Sequence, residues 1–387
     1  MTSPMPSISP VAPARIDDGL RAEVRAFLRE EIETARITPT LDSWLGGVDR
    51  GFSRRLGQRG WLGMTWPSQY GGHERSQLDR FVVVEELLAA GAPVAAHWVG
   101  DRQTGPLLLR YGTEDQRRTF LPRIAAGDAT FAIGMSEPDS GSDLASVRTR
   151  ARPVPGGWRV SGTKVWTSSA HEADHMITLV RTSGDPTDRH QGLSQLILDL
   201  DTDGVQIRPI KLLTGEHHFN EVVLDDVLVP SDRLVGEEGQ GWQQVTSELA
   251  FERSGPERFL SVMRLIEAFA GVYGPHLDAR QADTLGAIVA ELWSLRQLSL
   301  AIAASLAEGA NREVEAALVK DIGTKFEQES IEMLRRCSGT DGDGPNDGPH
   351  AALRDLLEFA TLRSPGFTLR GGTNEILRVV VARGLGL

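Results

Sequence analysis

The chain has 387 residues, of which 40% are hydrophobic, enough to bury several cores and to form two or three domains. Its formal net charge of -12 argues against a nucleic-acid-binding surface, which needs clustered basic side chains. The single cysteine, Cys337, excludes an internal disulfide framework and is typical of a reducing compartment.

The amino-terminal part begins with a tail and continues with helical spacing. Residues 1–15 are rich in proline and serine without an apolar run, which predicts a disordered tail rather than a secretory signal. No stretch approaches the roughly 20 apolar residues of a membrane span, so a cytoplasmic protein without a span is expected. Helical spacing begins at Ile16, with one apolar face made of Leu20, Val24, Phe27, Leu28 and Ile32. With further helices predicted at 81–92 and 114–126, residues 16–128 form a predicted helical domain.

Short β-rich runs separated by Gly, Asp and Pro replace the helical pattern in the middle of the chain. They lie at 158–160, 176–180, 196–198 and 221–224. Their spacing favours a small β-barrel or sandwich over a parallel sheet interleaved with helices, and residues 129–238 are predicted to form this domain. Helical spacing then returns and predicts a bundle over residues 239–387, with helices at 243–250, 259–272, 284–307, 313–336, 351–362 and 374–383.

Three segments have the composition of a site for a flat ring and a phosphate. The segment S-E-P-D-S-G-S-D at 136–143 offers glycine and small hydroxyl residues that let a ligand approach the backbone. The segment K-V-W-T-S-S at 164–169 offers an indole and a hydroxyl two residues later, and L-R-G-G-T-N-E-I follows at 369–376. Alone, a Gly/Ser/Pro/Asp cluster is a turn. Together the three resemble the acyl-CoA dehydrogenase family, whose patterns are T/S-E-P-x-x-G-S-D, W-I-T/S and G-T-x-x-I-x-R.

The resemblance covers nearly the whole chain from Asp17 and implies a fold and a reaction. The implied fold class is α+β, mostly α, with an N-terminal helical domain, a middle β-barrel and a C-terminal four-helix bundle. The implied cofactor is FAD, at the junction of the domains, and the implied substrate is an acyl-CoA or acyl-carrier-protein thioester. The reaction is α,β-dehydrogenation, and the electrons leave to an acceptor such as an electron-transfer flavoprotein.

The resemblance also assigns residues to the cofactor. Met135 and Ser136 would line the pyrimidine edge of the flavin, and Ser142 would lie between cofactor and thioester, touching both. Ser168 would donate to flavin N5, where a hydroxyl stabilises the negative charge that develops as the ring accepts a hydride. The remaining cofactor positions are Trp166 beside the ring, Thr167 in the same segment, and Thr373 and Glu375 on the phosphate or ribose side.

The catalytic base is expected to be Glu252. Many family members carry a glutamate immediately before the G-T of the third segment, but that position is Gly371 here. The second family position reads E-R, which matches Glu252 and Arg253. Spacing supports this assignment, because Trp242, Val245, Leu249 and Glu252 share one helical face, and a poorly solvated carboxylate has a raised pKa. The alternative is a buried ion pair with Arg253 or Arg258.

The substrate carbonyl needs a hydrogen-bond donor, because the α-proton of a thioester is otherwise too weakly acidic. By resemblance, the N–H of Gly371 points at that oxygen, together with a ribityl hydroxyl of the cofactor. Arg253 and Gly372 are assigned to the substrate on the same basis, although an arginine after a buried glutamate can be its structural partner.

Two departures from the family pattern concern assembly. The R-x-x-F-G of symmetric dimers is replaced by D-A-R-Q-A-D at 278–283, and the family's Q-x-x-G-G appears as R-R-C-S-G at 335–339, where Arg335 and Gly339 hold the cofactor positions. Both changes resemble a bacterial subgroup in which two related chains form mixed oligomers. The chain is therefore expected in a homo-oligomer or a hetero-oligomer. The alternatives are a weakly catalytic structural partner subunit and a related flavin oxidase or monooxygenase.

Two further motifs suggest metals, and neither is expected to bind one. H-E-A-D-H at 171–175 spells H-E-x-x-H, which grips zinc only when a helix places both histidines on one face. A hydroxyl pair precedes it and a β-like run follows. D-G-D at 341–343 hints at a calcium loop, but Pro345 and Ala352 stand where ligands belong.

Overall fold

The computed structural model describes residues 16–184, 188–307, 312–338 and 348–387, with the backbone alone at 248–252 and 307. The chain divides into two compact units. The first comprises Met1–Ser43, Ser76–Ala92 and Ala250–Leu387, and the second comprises Trp44–Arg75 and Pro93–Leu249.

The helices and strands alternate in blocks along the chain. The helices are α1 (Asp18–Glu33), α2 (Ser43–Gly46), α3 (Arg50–Gln58), α4 (Gln77–Ala89), α5 (Ala95–Val99), α6 (Gly105–Tyr111), α7 (Glu114–Ala125), α8 (Gly241–Glu252), α9 (Met263–Tyr273), α10 (Ala279–Ala307), α11 (Glu313–Cys337), α12 (Gly348–Arg363) and α13 (Asn374–Gly384). The strands are β1 (Phe131–Gly134), β2 (Arg150–Val154), β3 (Gly157–Ser168), β4 (His175–Arg181), β5 (Leu193–Asp199), β6 (Val205–Lys211), β7 (His217–Pro230) and β8 (Leu234–Val235).

Helix α1 shows how the first unit is built from sequence signals. The Asp17 carboxylate caps it, accepting the N–H groups of Gly19 at 2.8 Å and Leu20 at 3.2 Å. The predicted apolar face is buried at Leu20, Val24, Phe27 and Leu28, whereas Ile32 near the end of the helix is 36% exposed. The predicted face is therefore right over three turns and wrong at its last member.

Buried carboxylates tie three helices of the first unit together. Glu85 and Glu86 of α4 are buried, and both bind Arg21 of α1. Arg296 of α10 also binds Glu85, with 3.0 Å between its Nη2 and Oε2. Each buried charge thus has a cation at hydrogen-bond distance, which offsets the cost of removing it from water.

Helix α10 is the one described helix that is long and apolar enough to cross a membrane. Its most apolar window has a mean hydropathy of 1.3, and 28% of that window is buried. Core helices of bundles reach similar values, and α10 packs on α4 and α11, with Arg296 bound to Glu85. Glu291 and Arg296 interrupt its apolar residues, so α10 is not an uninterrupted apolar stretch of about 20 residues.

The second unit is built around a sheet with the order β6-β7-β3-β2-β4-β5-β8, and β1 pairs with β4 in parallel. Alternation along β4 assigns its residues to two cores: Met176 and Val180 pack within the sheet core, and Ile177 packs with Phe120 and Leu121 of α7. All four predicted β runs lie inside β3, β4, β5 and β7.

The predicted fold class is confirmed: helices come first, a sheet follows, and helices end the chain. The predicted helix at 259–272 begins later than expected, at Met263, because Pro256 opens a short 3₁₀ turn at Pro256–Arg258. The domain boundaries at 128/129 and 238/239 stay a prediction.

Candidate functional site

The first predicted cofactor segment is held by one buried carboxylate. Glu137 Oε2 accepts the N–H of Arg148 at 2.7 Å, and its Oε1 accepts the N–H of Thr149 at 2.9 Å. The Lys164 ammonium donates to the same Oε1 at 2.8 Å. Residues 137 and 140 exchange backbone hydrogen bonds, which close a tight turn and leave Ser142 exposed. The loop is therefore anchored from inside and presents its glycine and serine outward.

The second predicted segment is joined directly to the first. The N–H of Val165 donates to the carbonyl of Ser136 at 2.9 Å, and the Lys164 ammonium donates to the carbonyl of Met135 at 3.2 Å. The Met135 side chain packs against Val147, Leu179, Leu193 and Val245. The structure thus brings the two segments that the sequence singled out side by side.

The electrostatics of this joint come from burial and from the ion pair. Burial lowers the pKa of Lys164 to about 8, although Glu137 acts to raise it. Burial would raise the pKa of Glu137, but Lys164 and the N–H donors outweigh this and hold its pKa below the usual value. Both groups are therefore charged at neutral pH, and each stabilises the other.

Trp166 stands out from the sheet. Its φ is +59°, and its side chain is 57% exposed. Its ring packs edge-to-face with the Phe219 ring, with 6.0 Å between the ring centroids. Thr167 is buried, and its hydroxyl has no hydrogen-bond partner among the described residues. Ser168 ends β3 opposite Phe219. An exposed indole beside two hydroxyl groups, one of them without a partner, fits a flat heteroaromatic ring with polar edge atoms.

The third predicted segment is a turn of two glycines in the first unit. Gly371 has φ +63° and Gly372 has φ +94°. A Cβ at position 371 would lie 2.9 Å from Nη2 of Arg258. Arg253, which is buried, donates from Nε to the Gly371 carbonyl at 3.2 Å. The space that a side chain at 371 would need is therefore occupied by a guanidinium.

Helix α13 begins immediately after this turn. The Thr373 hydroxyl caps it, accepting the N–H of Ile376 at 3.4 Å. Glu375 lies in the first turn, where hydrogen bonds from its own N–H and from Thr373 keep its pKa below the usual value. The dipole of a helix start favours an anionic group, such as a phosphate.

Buried charges lie under the glycine turn. Lys320 donates to the Thr368 carbonyl at 2.8 Å and to Asn374 Oδ1 at 2.6 Å. Burial, with repulsion from Arg258 and Arg370, lowers the pKa of Lys320 to about 7. These bonds fasten the residues before and after the turn to α11.

Several predicted site residues lie elsewhere or outside the described part. Glu252 is the last residue of α8, and only its backbone is described. Gly339 lies outside the described residues. Of the predicted stripe on α8, Trp242 and Val245 share one apolar cluster. Arg335 forms a pair with Glu332 on its own helix, with its Nε at 2.8 Å from Oε2. The assignment of Arg335 to the cofactor stays a prediction.

The H-E-A-D-H motif does not form a helix. His171 lies in the 3₁₀ turn Ala170–Glu172, and His175 begins β4, where its Nδ1 lies 2.6 Å from Asp199 Oδ1. His171 instead stacks on His217, with ring centroids 3.9 Å apart. The two histidines therefore do not face a common metal position. The D-G-D motif at 341–343 lies outside the described residues.

Sequence reasoning missed the residues that hold the segments in place. Lys164, Asn220, Arg258 and Lys320 are all buried polar residues next to the predicted segments. Lys164 had a local signal, since it stands two residues before Trp166 in a strand with no other charge between them. The other three are distant in sequence from the segments they touch, and nothing local marks them.

Comparison with known proteins gives concordant matches over most of the chain. Residues 17–128 match the family model "Acyl-CoA dehydrogenase, N-terminal domain", and residues 132–227 match "Acyl-CoA dehydrogenase, middle domain". The acyl-CoA dehydrogenase FadE29 of Mycobacterium tuberculosis is 36% identical over 94% of each chain, and FadE26 of the same organism is 32% identical over 94% of each.

Solved structures show the same fold. The steroid ACAD Tcur3481-Tcur3483 matches with a TM-score of 0.84 and 31% identity, covering 96% of this chain and 98% of that chain. The ChsE4-ChsE5 complex from Mycobacterium tuberculosis matches with a TM-score of 0.80 and 30% identity, covering 97% of this chain and 99% of that one. These matches extend beyond the two family models into the C-terminal helices.

Proposed function

Because this chain belongs to the acyl-CoA dehydrogenase family, we propose that it binds FAD and dehydrogenates an acyl-CoA thioester to a trans-2-enoyl-CoA. The chain is a flavoprotein oxidoreductase of the acyl-CoA dehydrogenase type. The observation that carries the proposal is the junction of 136–143 with 164–169, where an exposed indole stands beside the buried, partnerless Thr167 hydroxyl.

The residues of the chain divide the work as follows. The flavin ring is held by Met135, Ser136, Trp166, Thr167 and Ser168. Among them, the Ser168 hydroxyl donates to the ring edge. The cofactor, when bound, supplies a two-electron acceptor for the hydride from the β-carbon. Thr373 and Glu375, at the start of α13, take its ribose and phosphate side, and Ser142 faces the substrate.

Glu252 is proposed as the base that removes the α-proton, and the N–H of Gly371 as the donor to the thioester oxygen. The family position of Glu252 supports the first role, and the cluster that buries Val245 on the same helix supports an apolar surrounding for α8. The positive φ of Gly371 fixes the direction of its N–H through a turn held by Arg253. A preorganised N–H lowers the barrier by stabilising the enolate oxygen as charge develops.

We expect Glu252→Gln to keep FAD and to lower the rate of flavin reduction by at least about 100-fold, since a positioned base contributes that much. The measurement is anaerobic bleaching of the flavin absorbance by a panel of acyl-CoA thioesters. The exposed Glu238→Gln is the matched control and should reduce normally. Reduction of Glu252→Gln at a rate near that of the wild type would assign the proton transfer to another group.

The panel should include a steroid-derived thioester, because one similar structure is a steroid ACAD. Linear and branched acyl-CoA thioesters and one acyl-carrier-protein thioester complete it. A thioester that bleaches the flavin stoichiometrically identifies the substrate class. Release of peroxide in air at the turnover rate would indicate an oxidase instead.

A second function is a partner subunit in a mixed oligomer. The observations that favour it are the replaced assembly motifs and the similarity to the ChsE4-ChsE5 complex. Purification of the chain alone separates the two functions: a catalytic subunit is yellow, and a structural partner is colourless and gains flavin only with its companion. Co-expression with related chains, followed by size-exclusion chromatography, determines whether the oligomer is of one kind or mixed.

A further inference from the structure

The Trp166 side chain is exposed because β3 carries an extra residue. Lys164 pairs with Val222, whereas Thr167 pairs with Asn220, so three steps on β3 match two on β7. This β-bulge turns Trp166 into the left-handed region, at φ +59°. A non-glycine residue is strained there, so contacts around the bulge must hold it.

The Asn220 side chain closes the bulge from the side of β7. It is fully buried, and its Nδ2 donates to the Thr167 carbonyl at 3.0 Å and to Nδ1 of His171 at 3.1 Å. Its Oδ1 accepts from Nε2 of His217 at 2.7 Å. Both hydrogens of the amide and its oxygen are therefore used, and the Thr167 carbonyl fixes which end of the amide faces the bulge.

The orientation of this amide determines the tautomers of two histidines. His171 and His217 stack with 19° between their ring planes. His171 must present a bare Nδ1 to accept from Asn220, so it carries its proton on Nε2. His217 must carry a proton on Nε2 to donate. Asn220, the Thr167 carbonyl, His171 and His217 together form a hydrogen-bond cluster, called the clamp below. The H-E-A-D-H motif thus contributes an acceptor to the clamp rather than a metal ligand.

We propose that Asn220 is a positioning residue for the flavin: its amide, which also hydrogen-bonds His171 and His217, holds the Thr167 carbonyl and so keeps Trp166 and Ser168 where the ring binds. The inference rests on the proposed function, in which 166–168 contacts FAD. Without the clamp, the Thr167 carbonyl loses a buried donor, and the strained bulge relaxes.

The clamp is acid-sensitive by construction. A proton on Nδ1 of His171 would oppose the Nδ2 donor of Asn220 and break that bond. Partial burial and repulsion from His217 lower the pKa of His171, which keeps the acceptor form over a wider pH range. The charged or titratable groups around His171 are His217, His218 with its partner Glu216, Glu172, and Arg50, which binds the Glu172 carbonyl.

The direction of the pH dependence follows from the lowered pKa of His171. Because the folded pKa of His171 is depressed, the clamp is intact above the usual imidazole range and is lost as pH falls through the folded pKa. FAD affinity should therefore fall on acidification before the protein unfolds.

The first test compares Asn220→Asp with Gln195→Glu. Both replace a fully buried amide in the same sheet by a carboxyl group, but Gln195 lies on β5, which pairs with β4 and β8 and not with β3. Leaving the Thr167 carbonyl unsatisfied should raise the FAD dissociation constant by at least about tenfold in Asn220→Asp and shift its visible spectrum. Gln195→Glu should bind FAD like the wild type. Equal affinity and an identical spectrum in Asn220→Asp would overturn the proposal.

A second pair of variants covers the case in which Asn220→Asp does not fold. His171 is exposed on its other side, so it tolerates substitution. His171→Asn places Oδ1 near the former Nδ1 and should keep FAD affinity while abolishing its acid dependence. His171→Leu removes the acceptor and should weaken FAD binding several-fold at neutral pH. If FAD affinity depends on pH in the same way in the wild type and in His171→Asn, the proposal is overturned.

A readout without cofactor separates the two proposals. If the wild type takes up no FAD, the proposed function fails, and NMR titration of the imidazoles in the cofactor-free protein tests the clamp alone. His171 should titrate below a free imidazole in the wild type and higher in Asn220→Asp, where a carboxylate faces it. An unchanged titration of His171 would refute the contact itself.

Discussion

At the scale of single residues, the surroundings of Gly371 disfavour a catalytic carboxylate in the third segment. Its φ is +63°, and a Cβ there would approach Nη2 of Arg258 to 2.9 Å. We expect that adding Gly371→Glu to Glu252→Gln will not restore flavin reduction, because the new carboxylate would pair with Arg258 and become a weak base. The left-handed backbone should cost a further ~1–2 kcal/mol of unfolding free energy.

The control for this variant is Gly366→Glu, in the 3₁₀ segment Ser364–Leu369 that precedes the glycine turn, where a Cβ would meet nothing within 4 Å. It should leave both unfolding and flavin reduction near the wild type. Rapid anaerobic flavin reduction by the double variant would mean that Arg258 moves aside, and that the occupied space does not exclude a base.

At the scale of elements, the Lys164–Glu137 pair fastens the loop after β1 to β3. The two residues are 27 apart in sequence, and Lys164 is fully buried. Breaking one side of a buried pair leaves an uncompensated charge, so Lys164→Met should cost about 3–5 kcal/mol of unfolding free energy. FAD affinity should fall with it, since both cofactor segments lose their joint.

The double variant Glu137→Gln with Lys164→Met removes both charges and should recover most of that stability in urea unfolding. Arg54→Met, which breaks the exposed pair with Asp128, is the comparison and should cost less than about 1 kcal/mol. If the double variant lost as much unfolding free energy as the two single variants together, the pair would not act as a unit.

At the scale of the whole molecule, acid stability depends on a buried imidazole in the second unit. Burial lowers the pKa of His97 to about 4, and its Nδ1 lies 2.8 Å from the Ser53 hydroxyl. Because the folded pKa lies below the unfolded value of 6.5, the unfolded chain binds more protons between these values. The free energy of unfolding should fall by about 3 kcal/mol as pH drops from 6.5 to 4.

The measurement is urea unfolding at several pH values in that window, for the wild type and His97→Asn. The variant keeps a donor near the position of Nδ1 but does not titrate, so its pH slope should be shallower. The same slope in both proteins would assign the acid sensitivity to other groups.

Local order predicted the four β runs and most helices, and the family resemblance carried by three contiguous segments predicted the fold class. Periodicity of apolar residues reports which face of an element is buried, and contiguous motifs such as 136–143 carry their chemistry within a few residues. The errors, at Ile32 and at the start of α9, fall at element ends, where packing and a proline override the pattern.

The sequence by itself therefore determined the family, the order of helices and sheet, and which three segments are proposed to contact the cofactor. Only the tertiary structure decided what holds those segments: Lys164 against Glu137, Asn220 against a carbonyl 53 residues earlier, and Arg258 in the space beside Gly371. The physical reason is that a buried polar group must find its partner wherever the chain brings one, and such pairings leave no periodic or contiguous trace.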